Sequence, residues 1–200
     1  MTSRSQRTPL SKRVVIAEDE AIIRLDLREM LEDEGYVVVA ETGRGDEAVQ
    51  LVEEHSPDLC VFDIKMPGMD GLAAAREVSS GRKAAVVILT AFSQRSLIEE
   101  ARDAGVLSYL VKPFQREELV SAIEVALGRF EELLQLDATV RELEEQLEAR
   151  KAVDRAKGLL MDEHGLTEAD AFSFIQKTAM AERCSMLDVA NRIVSGELLP

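Results

Sequence analysis

Residues 59–71 read LCVFDIKMPGMDG, and this stretch decides the fold. Leu59 to Phe62 is a continuous apolar run, short and unalternating, as in a strand covered on both faces. It stops at one carboxylate, Asp63, and the chain then turns through Pro67, Gly68 and Gly71. The same arrangement recurs on both sides. Val14–Ala17 ends in Glu18, Asp19 and Glu20; Tyr36–Ala40 is a second strand; Ala84–Leu89 ends at Thr90; Val106–Val111 ends at Lys112 and Pro113. Helical patterns fill the gaps. Ile22, Ile23, Leu25, Leu27, Met30 and Leu31 recur at helical spacing before Gly35, followed by Ala48 to Val52, Leu72 to Val78, Ser96 to Ala104 and Glu117 to Leu127.

Strand and helix in strict alternation mean a parallel sheet with helices on both faces, and right-handed crossovers make it doubly wound. The expected fold is therefore α/β, a five-stranded doubly wound parallel sheet. Such sheets bind ligands at the carboxyl ends of their strands, near the point where strand order reverses. That edge collects Glu18, Asp19, Asp63, Thr90 and Lys112. Clustered carboxylates repel one another unless a cation sits among them. Oxygen-only ligation by few protein groups suits Mg²⁺, which keeps several of its waters. Lys112 adds a point charge and Thr90 a hydroxyl, both suited to phosphoryl oxygens. Asp63 is then placed to act as a nucleophile that forms an aspartyl phosphate.

Composition narrows the alternatives. The chain has 200 residues, 46% hydrophobic, with aromatics at 4% and no Trp, which favours helices and parallel strands over a β-sandwich. The formal net charge of -14 repels nucleic acid in general, so any such binding needs a local patch. Cys60 and Cys184 are far apart and lack metal-ligand spacing, so they read as reduced structural thiols of a cytoplasmic protein. No apolar run approaches the roughly 18 residues of a membrane span, so no membrane association is expected. Residues 1–11 carry Arg4 and Arg7 without an apolar segment and read as a flexible tail rather than a secretory signal.

Residues 12–128 resemble the receiver domain of two-component response regulators, a CheY-like or flavodoxin-like fold. The residues that carry the resemblance are Glu18 and Asp19, Asp63 within DIKMPGMDG, Thr90-Ala91 and Lys112-Pro113. The resemblance implies that a sensor histidine kinase phosphorylates Asp63. It implies Mg²⁺ on Asp19, Asp63 and the main-chain carbonyl of Lys65, with Glu18 acting through water where many receivers have Asp. Thr90 and Lys112 would sense the phosphoryl group, Tyr109 would be the aromatic switch, and the Lys112–Pro113 peptide would be cis. Lys65 and Phe92 stand at positions that tune phosphoryl lifetime in receivers. Such a protein is not an enzyme with a separate product.

Beyond Gly128, residues 129–149 read as a helical linker. Leu133, Leu136, Val140, Leu143 and Leu147 step by three and four, a heptad seam of just over two repeats. The seam fits a coiled coil between two copies, and equally an amphipathic helix packed on its own domain. Residues 150–200 form a small three-helix unit: Val153, Ala156 and Leu160 on one helix, Ala171, Phe174 and Ile175 on the next, Val189, Ala190 and Ile193 on the last. Gly158, inside the first, suggests close helix packing. Thr167 with Asp170 suggests an N-terminal cap.

From about residue 141, RKAVDRAKGLLMDEHGLTEADAF with Ala179-Met180 and LDVANRIV resembles the ANTAR domain, an RNA-binding output module of transcription antiterminators, including actinobacterial ones. The resemblance implies a target of paired RNA hairpins and a homodimer formed on phosphorylation. Charge does not advertise this: residues 141–200 hold 8 Lys and Arg against 12 Asp and Glu, where RNA binding usually shows a basic footprint. The candidate contacts are Arg150, Lys151, Arg155, Lys157 and Arg183, with Phe172 and Phe174 the only aromatics. An output that binds DNA, with Asn191 and Arg192 on the last helix, or one that docks a protein partner, is the alternative reading. An aspartate-based phosphatase is disfavoured, because Lys65 stands where that chemistry wants an acid–base carboxylate.

Overall fold

The computed structural model describes residues 11–91 and 95–199. The tail read at residues 1–11 falls outside them except for its last residue, as does Phe92. The chain divides into two compact units, Met1–Leu134 and Gln135–Pro200.

In the first unit, β1 (Arg13–Ala17), β2 (Val37–Thr42), β3 (Leu59–Asp63), β4 (Ala85–Thr90) and β5 (Ser108–Val111) form one sheet in the order β2-β1-β3-β4-β5. Every pairing is parallel. The helices are α1 (Ala21–Asp33), α2 (Gly45–His55), α3 (Gly71–Ser80), α4 (Arg95–Asp103) and the start of α5 (Arg116–His164). Alternation along the strands builds a core on each face. Val14, Ile16, Leu59, Val61, Val87 and Leu89 pack with Leu27 and Leu31 of α1 and Leu119 and Ile123 of α5. Val15, Ala17, Cys60, Phe62, Val86 and Ile88 pack with Ala48 and Val52 of α2, Ala75 and Val78 of α3 and Ala101 of α4. Burial of each larger side chain contributes about 1.5–3 kcal/mol. It also explains why the strands are apolar without a break.

Local departures from the sequence pattern have physical reasons. In α1 only Leu27 and Leu31 are fully buried, while Ile22 and Leu25 are 85% and 57% exposed on the opposite side. β2 continues to Thr42 because Glu41 and Thr42 keep pairing with Ile16 and Ala17, although the apolar pattern stops at Ala40. β5 starts at Ser108 because the Val106 N–H closes the end of α4 on the Ala101 carbonyl at 3.0 Å.

The helices read separately on either side of Gly128 and residue 150 are one helix, α5. A lone interior glycine costs about 1 kcal/mol, too little to stop a helix with good formers on both sides. Gly158 corrects a second expectation: an added Cβ there would meet nothing within 4 Å, so close packing does not account for it.

In the second unit the end of α5 packs with α6 (Glu168–Glu182) and α7 (Met186–Val194) around Ala156, Leu160, Ala171, Ile175, Val189, Ala190 and Ile193. Gly165, at φ +67, ends α5. The Thr167 hydroxyl caps α6 by accepting the Asp170 N–H. Ser185 and Asp188 form a complete reciprocal capping box on α7. Along α5, the heptad residues Leu136, Val140, Leu143 and Leu147 are 52–61% exposed and belong to none of the three cores.

Candidate functional site

Strand order reverses between β1 and β3, and the register carries the site residues there. Ala17 lies beside Phe62, so Glu18 and Asp63 leave the sheet together. Asp63 lies beside Leu89, which puts Thr90 one residue further on. Thr90 lies beside Val111, which puts Lys112 next. The Lys112 N–H donates to the Thr90 carbonyl at 2.8 Å, and the Lys112–Pro113 peptide is cis. Residues separated by up to 94 positions thus meet at one edge.

The DIKMPGMDG turn is shaped around Asp63. The Gly71 N–H donates to the Ile64 carbonyl at 2.8 Å. A Cβ on Gly71 would sit 1.9 Å from the Asp63 carbonyl oxygen, so only glycine lets α3 start so close to β3. Asp70 caps α3 by accepting the Ala73 N–H at 2.8 Å. The Lys65 N–H donates to Asp63 Oδ2 at 2.7 Å, which fixes the carboxylate.

Lys112 Nζ lies 2.5 Å from Asp63 Oδ1 and 2.5 Å from Glu18 Oε2. Glu18 is fully buried, and its other oxygen accepts the Glu20 N–H at 3.3 Å. Burial pushes the Glu18 carboxyl above the usual carboxylate range; Lys112 opposes the shift and nearby Asp63 adds to it. Burial alone would lower the Lys112 pKa, but hydrogen bonds to Asp63 and Glu18 outweigh it and the ammonium is held above its ordinary range. Two carboxylates share one cation.

Carboxylate oxygens of Glu18, Asp19 and Asp63 all lie within 4.8 Å of one another. Asp19 is exposed, and it lines with Asp63, Lys65, Thr90 and Ala91 a cleft of about 240 Å³. This acidic, oxygen-only pocket open to water fits a hard divalent cation. Each oxygen of Glu18 and of Asp63 has one partner, Lys112 or a backbone N–H, and exposed Asp19 stands beside them.

Tyr109 is 45% exposed on β5, and with Thr90, Ile64, Ile88 and Leu97 it borders a void of about 10 Å³. Arg24 escaped the sequence reading. Its guanidinium donates to the Glu18 carbonyl oxygen at 2.5 Å and clamps the acidic loop from α1. Nothing in the sequence distinguishes it from the other arginines.

In the second unit the basic candidates do not form one cluster. At 100° per residue, Arg150 and Lys157 share one side of α5, and Lys151 and Arg155 share another. Lys157 is bound to Asp154 at 2.9 Å and Glu168 at 2.8 Å, and Lys151 to Glu148 at 2.8 Å. Arg183 ends α6 in the left-handed conformation. Phe172 is 43% exposed, whereas Phe174 packs against the core.

Comparison with known proteins accounts for both halves. Residues 14–124 match the response regulator receiver domain, and residues 141–194 match the ANTAR domain. The chain belongs to the receiver–ANTAR response regulators. The regulator is 56% identical over 183 residues to the transcriptional regulatory protein PdtaR of Mycobacterium tuberculosis, covering 92% of this chain and 89% of that one. It is 37% identical over 120 residues to the chemotaxis protein CheY of Bacillus subtilis, covering 60% of this chain and all of that one. Among solved structures, the receiver domain of the response regulator NarL from Mycobacterium tuberculosis superimposes with a TM-score of 0.57 at 30% identity, covering 60% of the regulator and 98% of that chain. No helix among the described residues is long and apolar enough to cross a membrane.

Proposed function

We propose that the regulator accepts a phosphoryl group on Asp63 from a sensor histidine kinase and that this controls binding of RNA by its ANTAR domain. The observation that carries the reading is the meeting of Asp63, Lys112 and Thr90 at the switch point of the sheet. Lys112 already sits at hydrogen-bond distance from the carboxylate, and Thr90 ends the adjacent strand.

An Asp63 oxygen attacks the phosphorus, the bond from phosphorus to the donor nitrogen breaks, and the donor histidine leaves neutral after taking a proton. The Lys65 N–H holds the other Asp63 oxygen, which orients the attack. Lys112 and the Thr90 hydroxyl receive charge on the transferred group. Asp19, Asp63 and the Lys65 carbonyl would hold Mg²⁺, which would neutralise charge on the phosphoryl oxygens. Glu18 serves as the buried counter-charge that aims Lys112.

Once Lys112 and Thr90 engage a phosphoryl group, Thr90 moves toward Asp63 and the wall that it shares with Tyr109 changes shape. The apolar seam from Leu136 to Leu147 suits pairing with a second copy. A dimer doubles the small basic surface of each output domain, which fits a target of two hairpins.

The test is phosphorylation with a small-molecule acyl phosphate and Mg²⁺, read by intact-mass spectrometry and site mapping. One phosphoryl group on Asp63, absent from Asp63→Asn, supports the reading. A modification that survives Asp63→Asn sinks it.

A further inference from the structure

The structure leaves one apolar strip on the output domain that its core does not use. Phe172 and Met180 of α6 are 43% and 73% exposed, and Met161 of α5 is 41% exposed. On α5, Arg150, Lys157 and Met161 follow one another at i, i+7 and i+11, within about 40° of arc. On α6, Phe172 and Gln176 follow at i and i+4, within a similar arc, with Met180 at its edge, and Arg183 caps the end of the helix. The bond from Lys157 to Glu168, one turn before Phe172, joins the two flanks.

We propose that this strip is the surface on which unpaired bases of the RNA hairpin loop stack, with Phe172 as the platform. The inference rests on the RNA-binding reading of the output domain. Bases splayed from a loop are held by exposed aromatic rings bordered by cations, and Phe172 is the exposed aromatic of this domain. Arg150 lies on the same side of α5 as Lys157, Arg183 caps α6, and Lys157 is tied to Glu168, one turn before Phe172. The acidic groups beside it, Asp154 and Glu168, are both bound to Lys157. Arg150 acts on Asp154 through space and, like Arg183, makes no ion pair within 4 Å among the described residues, so both can turn to phosphates. The strip therefore carries more positive than negative side chains within a domain whose balance is negative. A second copy of the chain has the heptad seam to pair on, which ends at Leu147 on the same side of α5, one turn before Arg150.

The chain contains no Trp, so Phe172→Trp creates a unique reporter. The full-length phosphorylated protein is first used to select hairpins from a two-hairpin RNA library. The selected RNA is then titrated into Phe172→Trp, and in parallel a copy with abasic loop positions. The strip predicts strong quenching of emission by the intact loop and little by the abasic one. It predicts roughly 5- to 150-fold weaker binding for Phe172→Ala, wild-type affinity for Phe172→Tyr, and no loss for Lys177→Ala on another side of α6. Tight binding of selected RNA with Trp emission unchanged, or with Phe172→Ala at wild-type affinity, overturns the strip and leaves RNA binding standing. Failure of the wild-type protein to enrich any hairpin overturns the RNA reading itself, and the strip with it.

Discussion

The Lys112 ammonium lies 2.5 Å from a carboxylate oxygen of Asp63 and is shared with buried Glu18. Removing it leaves two carboxylates facing each other at low exposure. Lys112→Ala is expected to cost about 3–5 kcal/mol of stability by urea denaturation, the usual cost of stranding a buried charge. Millimolar Mg²⁺ should restore part of it. Because the Lys112 pKa is raised on folding, the stabilisation is fully present below the ordinary lysine range. It is lost as pH rises through the raised value. Urea midpoints of wild type and Lys112→Ala should therefore converge in strong alkali.

Two glycines should respond oppositely to alanine. At Gly71 the new methyl would overlap the Asp63 carbonyl, so Gly71→Ala should destabilise the receiver by about 2 kcal/mol or more and impair phosphorylation of Asp63. At Gly158 the methyl meets open space inside a helix, so Gly158→Ala should stabilise by about 0.5–1 kcal/mol. Thermal melts of both variants check the contrast.

The α7 capping box supplies a pH-dependent test. Hydrogen bonds from the Ser185 hydroxyl and then its N–H hold the Asp188 carboxyl below the usual aspartate range. A lowered carboxyl pKa stabilises above the unfolded value and is lost as pH falls through the folded one. Ser185→Ala should cost about 1 kcal/mol at neutral pH, and the difference from wild type should shrink in acid below about pH 3.9. Melting curves of the two proteins across that range decide it.

The seam on α5 predicts self-association. Leu143→Glu places a charge among Leu136, Val140 and Leu147, all exposed in the single chain. The phosphorylated wild type should sediment as a dimer and phosphorylated Leu143→Glu as a monomer, with receiver stability unchanged. Equal sedimentation of the two would remove the seam from the interface.

Strand ends were legible because each buried strand announces itself as an unbroken apolar run and each run stops at a polar residue of distinct chemistry. That was enough to place Asp63, Thr90 and Lys112 on one edge. The shared pairing of Lys112 with Glu18 and Asp63 was not legible, because it depends on side-chain reach across crossovers. Arg24 was invisible for the same reason: its role comes from one turn of α1 passing the Glu18 carbonyl. The basic residues at 150–157 look like one cluster in sequence, yet the helical rotation separates them and Asp154 and Glu168 neutralise Lys157. The continuity of α5 through Gly128 was hidden because a glycine reads as a stop when its neighbours' packing is unknown.

The coupling of the two halves is tested most directly by the affinity of the full-length protein for its selected hairpin RNA, before and after phosphorylation, in wild type and Asp63→Asn. The account predicts at least about tenfold tighter binding by phosphorylated wild type, weaker at high salt, and no change in Asp63→Asn. Equal affinity in all four samples would contradict it.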